Sequence, residues 1–384
     1  MSDRAGWQPP QYGAAPGWTP PPKPGLIPLR PLTFGQLLGT PFQVLRRNPG
    51  ALFGGAVLVQ VIVLLGSLVI VGAATGLFLY RAAHATDANR DAIQAGGIAS
   101  VILAALVAVA LSVIGSGVLQ GIVVIDVANG TLGHRPRAAQ LWHATRGRRW
   151  ALVGFVAVLG GGIVVALAVL AGLVAALVIP GAAASGGNGT VLIVIGVAVG
   201  VLSGIGFVVL GAWVWTKTSL AASAIMLERL GVRAGIARSW VLVRGGFWRV
   251  FGAQILVIMI CSVATQIIST PVSLIFQFAF QAAFPTGTPS SLTGVDGGSL
   301  AIAAVSYGVL MVLSLIIGSV TSVIQAATGT VVYVDQRMRR EGLDLVLTRY
   351  VEDRQAGRPL GDPFATPQYA AAPQYTAAPQ RGQW

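Results

Sequence analysis

Six long apolar stretches punctuate the chain, at roughly 51–80, 98–127, 150–179, 191–225, 248–283 and 300–334. Each is about 30 residues or more, whereas crossing the hydrocarbon of a bilayer takes about 20 at about 1.5 Å per residue. Apolar side chains surround each stretch on every face, so none has a polar side to turn toward water. In lipid, peptide groups must pair within their own segment, which leaves the helix as the structure these stretches can adopt. The pattern predicts an all-α polytopic membrane protein with six transmembrane helices.

The polar connections alternate in charge. Those at 81–97, 180–190 and 284–299 carry only Arg81 and Arg90 between them, while the other arginines lie in the ends of the chain and in the connections near 128–149 and 226–249. The positive-inside rule then predicts a multi-pass protein of the plasma membrane with both its N-terminus and its C-terminus cytoplasmic. The N-terminal stretch has no apolar core before a cleavage site, so the first span is expected to act as its own uncleaved targeting signal.

Sliding the chain along itself by about 100 residues aligns three basic segments, Leu32–Gly54, Leu132–Gly154 and Leu230–Gly252. Phe42, Trp142 and Trp240 then coincide, as do Arg46, Arg146 and Arg244. Positions 38/138/236, 42/142/240 and 45/145/243 are mostly apolar at i, i+4, i+7 spacing, one stripe of a short helix. The segments are read as interfacial amphipathic helices, each ahead of a transmembrane hairpin, with aromatics at headgroup depth and arginines toward anionic lipid of the inner leaflet. This gives three repeats of interfacial helix plus hairpin, about 31–130, 131–228 and 229–340, within a membrane domain spanning 31–351. An even number of spans per unit points to a pseudo-threefold axis along the membrane normal.

Each unit ends on an acid: Asp126, Glu228 and Asp335. These acids and Arg46, Arg146 and Arg244 are the candidate members of a cytoplasmic charge ring, the alternative being that each arginine is a solvated, snorkelling charge. Lys217, beside Trp213 and Trp215, joins Phe42, Trp142 and Trp240 as a candidate lipid or cavity contact, or is an interfacial snorkel. Gln60, Gln120, Gln254, Gln266, Gln277 and Gln325 either hydrogen-bond between helices or line a path. Gly196, Gly200 and Gly204, and Gly117 with Gly121, form GxxxG steps that permit close helix approach. Pro271 is expected to kink the fifth span.

Composition sharpens this picture. Of 384 residues 54% are hydrophobic and 10% charged, with a mean hydropathy of +0.76, which excludes an ordinary soluble domain. A net charge of +13 raises nucleic acid as a partner, but the arginine clusters flank apolar spans and membrane topology accounts for them. Residues 1–30 and 352–384 are rich in Pro, Ala, Gln and Tyr and are read as disordered cytoplasmic tails, whose PQY steps are candidate docking sites for a protein partner. Cys261 has no mate for a disulfide or a thiolate metal site.

Catalytic chemistry has few candidates. The acids are scattered singly, His134 and His143 have no adjacent carboxylate, and nucleotide-binding and nucleophile-elbow motifs are absent. No catalytic residue, metal or cofactor is assigned.

The runs ARSWVLVRGGFWRVFG (Ala237–Gly252) and TVVYVDQRMRREGLDLVL (Thr330–Leu347) resemble the membrane domain named after glycerophosphoryl diester phosphodiesterases. The likeness is to its stand-alone form in high-GC Gram-positive bacteria, with Pro/Gly-rich tails, and covers roughly Pro28–Val351. The resemblance implies no catalytic residues, because in that family the hydrolase is a separate soluble domain that this sequence lacks. The expected function is a non-enzymatic membrane module acting through lipid contact and partner binding, accessory to envelope or lipid metabolism. The rival readings are a transporter or channel component with a cavity near the repeat axis, and an enzyme of lipid phosphodiesters.

Overall fold

The computed structural model describes residues 25–26, 28–183, 187–283, 297–358 and 361–365. Most of the predicted tails at 1–30 and 352–384, namely 1–24 and 366–384, and most of the connection at 284–299 lie outside the described residues. Among those described, the chain is helical throughout and holds six helices long and apolar enough to cross a membrane. It is a multi-pass membrane protein. In chain order α1 is Phe34–Arg47, α2 Pro49–Ala83, α3 Arg90–Thr131, α4 Ala138–Ala144, α5 Arg149–Ala183, α6 Gly187–Thr218, α7 Ala221–Leu227, α8 Val232–Val243, α9 Phe247–Ala283, α10 Gly297–Glu341 and α11 Leu343–Gln355. A short helix followed by two long ones thus recurs three times, as α1–α2–α3, α4–α5–α6 and α8–α9–α10, with α7 and α11 added.

Local sequence explains the boundaries. Thr33 and Gln36 form a reciprocal capping box at the start of α1, and Pro49 opens α2, where a missing N–H costs nothing. Gly245 (φ 84°) separates α8 from α9 and Gly342 (φ 64°) separates α10 from α11, both in a left-handed conformation that a Cβ would disfavour. The helix α9 continues through Pro271 to Ala283.

The long helices pair as hairpins, α2 with α3, α5 with α6 and α9 with α10. Their most apolar windows are between 0% and 17% buried, so the hydrocarbon-like surface is left for lipid. The packed core gathers instead at the basic end, where Leu37 and Val44 of α1, Leu52 of α2, Val123 and Val127 of α3, Ile225 of α7, and Val331 and Tyr333 of α10 are buried together. The 42 residues of α3 measure about 63 Å at about 1.5 Å per residue, twice the roughly 30 Å hydrocarbon. Its last turns, which carry the core, therefore reach the headgroup layer.

The buried face of the short helices is broader than the predicted stripe and includes part of it. Leu37, Pro41 and Val44 of α1, Leu141 of α4, and Gly235, Ser239 and Leu242 of α8 face inward, one position before 38/42/45 and its counterparts. Thr145 and Val243 of the predicted stripe are fully buried as well, and Leu38, Phe42 and Leu45 pack against Val257, Cys261 and Ile324. The aromatic positions turn outward: Trp142 is 43% and Trp240 38% exposed. The cause is the bundle itself, since α1 packs on α9 and α10 and α8 packs on α6 and α7, and this inner contact outcompetes the lipid for the apolar face.

Glycines set the close approaches. A Cβ on Gly117 would lie 3.2 Å from the Val153 nitrogen and one on Gly121 2.8 Å from Leu152, so this step seats α3 against α5. Gly196 and Gly200 face α5 across their hairpin, whereas Gly204 faces open space. Cys261 is buried with Val257 and Ile324, a small packing residue.

Beyond residue 351 the packed part continues: α11 runs to Gln355 and Phe364 is 4% exposed within the core.

Candidate functional site

Three acids organise the basic end, each buried and each at the end of a hairpin. Asp335 of α10 has a fully buried carboxylate. It accepts from the Leu32 backbone N–H at 2.9 Å, from Arg249 Nε of α9 at 3.2 Å and from Arg339 Nε one turn on at 3.0 Å. The same two guanidiniums donate to the Leu32 carbonyl, at 2.7 and 2.6 Å. The entry to α1 is thereby tied through the backbone of one residue, Leu32, to both helices of the last hairpin.

Glu228, which ends α7, is also fully buried. Both its oxygens accept from Arg238 Nε of α8, at 2.9 and 2.8 Å, and Tyr333 OH of α10 donates to Oε1 at 2.6 Å. Arg337, 2% exposed, lies 3.7 Å from the same oxygen and 2.9 Å from Glu341, and donates to the Phe364 carbonyl at 2.9 Å. Glu341 closes the circuit by pairing with Arg238. Burial lowers the basicity of Arg238, but the hydrogen bonds and charges of Glu228 and Glu341 outweigh it and hold the guanidinium above its ordinary value.

Asp126 of α3 is 2% exposed and accepts from Asn48 Nδ2 at 3.0 Å. Nearby Arg47 donates to the His134 carbonyl. Burial pushes Arg47 below its usual range, opposed by the charge of Asp126. Arg148, the counterpart of Asn48 at the hundred-residue offset, donates to the Ile225 carbonyl at 3.1 Å, so the entry to α5 reaches α7, just beyond the end of α6, much as the entry to α2 reaches α3.

The six proposed members of the charge ring therefore separate. Asp126, Glu228 and Asp335 are the buried hubs, but Arg46, Arg146 and Arg244 are exposed and take part in none of the ion pairs among the described residues. Their places are taken by Arg238, Arg249, Arg337 and Arg339, with Asn48 and Tyr333. Sequence offers one signal for this substitution: Arg337 and Arg339 lie within one turn of Glu341 and Asp335 on α10, at i, i+4 spacing.

The lipid-facing candidates cluster outside this network. Trp240 meets Trp213 edge-on at 5.2 Å and the Lys217 ammonium lies 5.9 Å from its ring, so two of the predicted contact residues touch each other. Trp142 stacks under the Arg149 guanidinium at 3.9 Å, and Phe42 is half-buried beside Val257 and Ile324. The sequence reasoning missed Trp150 and Trp248, each eight residues after these tryptophans and each 79% exposed; their shared register was the available signal.

A cavity of about 320 Å³ lies between α3, α5, α6, α7, α9 and α10. Gln120, Gln254 and Gln325 line it with Ser116, Ser223 and Ser322, and every lining side chain is uncharged. Gln60 instead lines a neighbouring cavity of about 610 Å³, and donates to Ser322 Oγ at 3.3 Å. Gln266 and Gln277 are exposed, and Lys217 lines neither cavity. Among the described residues no group of three His, Cys, Asp or Glu could hold a metal ion.

Residues 32–336 match a family model described as a domain of unknown function, DUF7847. No curated protein and no solved structure matches the chain.

Proposed function

Because the chain belongs to the DUF7847 family, whose description assigns no activity, we propose its function from geometry: a non-enzymatic module of the plasma membrane that works through lipid contact and partner binding. Its basic end and both chain ends face the cytoplasm in this reading, and its metabolic setting is the envelope or its lipids. The observation that carries it is the division of labour among charges. Buried acids consume Arg238, Arg249, Arg337 and Arg339 internally, while Arg46, Arg146 and Arg244 remain exposed among outward tryptophans. An exposed arginine and tryptophan belt beside a lipid-covered bundle suits anionic headgroups, each basic residue adding about 1 kcal/mol near such a surface. Kinship with the membrane domain of glycerophosphoryl diester phosphodiesterases belongs to the same proposal, as does a threefold repeat, supported by the recurring short–long–long helix order.

The test is lipid retention. The full chain, reconstituted with mixed phosphatidylglycerol and phosphatidylcholine, is expected to retain phosphatidylglycerol after detergent extraction. The Arg46→Gln/Arg146→Gln/Arg244→Gln variant is expected to lose that preference several-fold at unchanged thermal stability; equal retention removes the reading. Impermeant labelling of tags at the two ends in intact cells checks the sidedness.

A second reading, a transporter or channel component, is favoured by one observation: Gln120, Gln254 and Gln325 share a polar cavity. Solute flux in liposomes made with the full chain is its test.

A further inference from the structure

The wall of the smaller cavity carries two hydrogen-bond acceptors with nothing to accept. Gln120 Oε1 and Gln254 Oε1 are buried without partners, although Gln254 is only 4% exposed. The orientation of the Gln254 amide follows from its neighbours. Ser219 Oγ donates to the Thr216 carbonyl at 2.8 Å, so it must accept from Gln254 Nε2, which lies 2.8 Å away. The free oxygen of Gln254 is thus an acceptor by elimination. A buried acceptor left unpaired costs about 1–3 kcal/mol, and two on one cavity wall call for a donor supplied from outside the protein.

The chemistry of that donor is narrowed by its surroundings. No lining residue is charged. The cavity's lining on α3 runs from Ser116 to Val124, ten to two residues before Asp126 or about 15 to 3 Å along the axis, so the cavity extends from the charged layer into the hydrocarbon side. A phosphate there would be both desolvated and without a counter-charge. The occupant must also be greasy. Ser116, Leu119 and Ser322 line both cavities, and the larger one continues along Val63, Leu64 and Leu310 to Tyr307, which is 70% exposed. The path is mainly apolar, with a volume of about 610 Å³.

We infer that the two cavities form one binding site for an uncharged lipid whose headgroup bears a hydroxyl donor: the headgroup sits against Gln120 and Gln254, and the chain lies along the Gln60 cavity between α2, α3 and α10. The inference needs only the membrane setting of the proposal above and not its anionic contacts.

The experiment uses the full chain in phosphatidylcholine nanodiscs with two probes, dioleoylglycerol and its methyl ether, which keeps the chains and removes the donor. Binding is read by competition against a photo-crosslinkable diacylglycerol. Dioleoylglycerol is expected to compete about tenfold better than the ether, the worth of about one hydrogen bond. Gln120→Leu and Gln254→Met are each expected to lower dioleoylglycerol binding about tenfold. Gln120→Leu, which removes only an orphaned acceptor, is expected to leave the melting temperature unchanged or raised, whereas Gln254→Met also loses the bond to Ser219 and is expected to keep its helicity at a slightly lower melting temperature. Gln266→Leu, on the exposed face of α9, is expected to change nothing. Equal competition by the two probes, or binding undiminished in the Gln120→Leu/Gln254→Met double variant, overturns the site. So does absence of crosslinking to α3 and α9, which would mean that water alone fills the cavity. Phosphatidylglycerol retention, measured on the same samples, reports the belt of exposed arginines separately.

Discussion

Tyr333 donates its hydroxyl to Glu228 Oε1 at 2.6 Å, joining residues 105 positions apart at the centre of the basic end. Around that bond two acids and two arginines close a circuit across α7, α8 and α10. Buried ion pairs of this kind contribute less by their attraction than they cost when one member is lost, because the survivor is left charged and dry.

Arg337→Met is therefore expected to lower stability by about 3–5 kcal/mol, and Tyr333→Phe by about 1–3 kcal/mol. Exposed Arg244→Gln is expected to stay within about 0.5 kcal/mol. Chemical unfolding in mild detergent, followed by near-ultraviolet circular dichroism, ranks the three. An Arg337 variant as stable as the Arg244 one would mean that the circuit carries no structural load.

Asp335→Asn keeps the shape but removes the charge shared by Arg249 and Arg339. The Leu32 backbone, held on both its N–H and its carbonyl by this cluster, is expected to come loose first. Limited proteolysis should then cut ahead of α1 several times faster in the variant, with cleavage at the α2–α3 connection unchanged. Equal rates at both places count against the tether.

How far the sequence disclosed this arrangement depends on the physics behind each residue. The spans were readable because burying peptide groups in lipid leaves no alternative to the helix, and the apolar runs at Leu52–Leu79 and Val312–Val334 are long enough to require crossing. The three acids were readable too, as lone carboxylates at the ends of apolar runs. Their partners were not: Arg46, Arg146 and Arg244 align in register but are exposed, and the arginines that meet Glu228 and Asp335 come from α8, α9 and α10, which only the packed bundle brings to them. Glu228 and Tyr333 meet only because α7 and α10 do, a long-range contact that no local spacing encodes. The cavity was half legible, since buried amides stand out in apolar runs, yet nothing local separates Gln254 from exposed Gln266 on the same helix.

The glycine steps differ in kind. Gly196 lies where a Cβ would sit 2.8 Å from Val178 and 3.1 Å from Leu177, while Gly204, two steps along, faces open space. Gly196→Leu is expected to cost about 1–3 kcal/mol by overpacking the α5–α6 hairpin, and Gly204→Leu to be neutral or stabilising. The comparison is a thermal melt of the two variants in one detergent. Equal losses would place the hairpin contact elsewhere.

The pH response at the basic end follows from His134. Its Nε2 lies 2.9 Å from Arg354 Nη1 of α11; an arginine only donates, so the ring nitrogen accepts and the imidazole is neutral. Burial lowers its pKa below the ordinary value near 6.5, and the charges of Arg354 and Arg47 lower it further. A base with a depressed folded-state pKa binds more protons unfolded than folded, so stability rises with pH across the interval between the two values. The contact is intact above about 6.5 and weakens as pH falls through that value toward the lower folded one. Hydrogen exchange of α11 is accordingly expected to quicken, relative to α3, between about pH 7 and pH 5 after correction for intrinsic rates. His134→Gln, which stays neutral and can still accept from Arg354, is expected to abolish that pH dependence; a variant with the wild-type profile would assign the change to other groups.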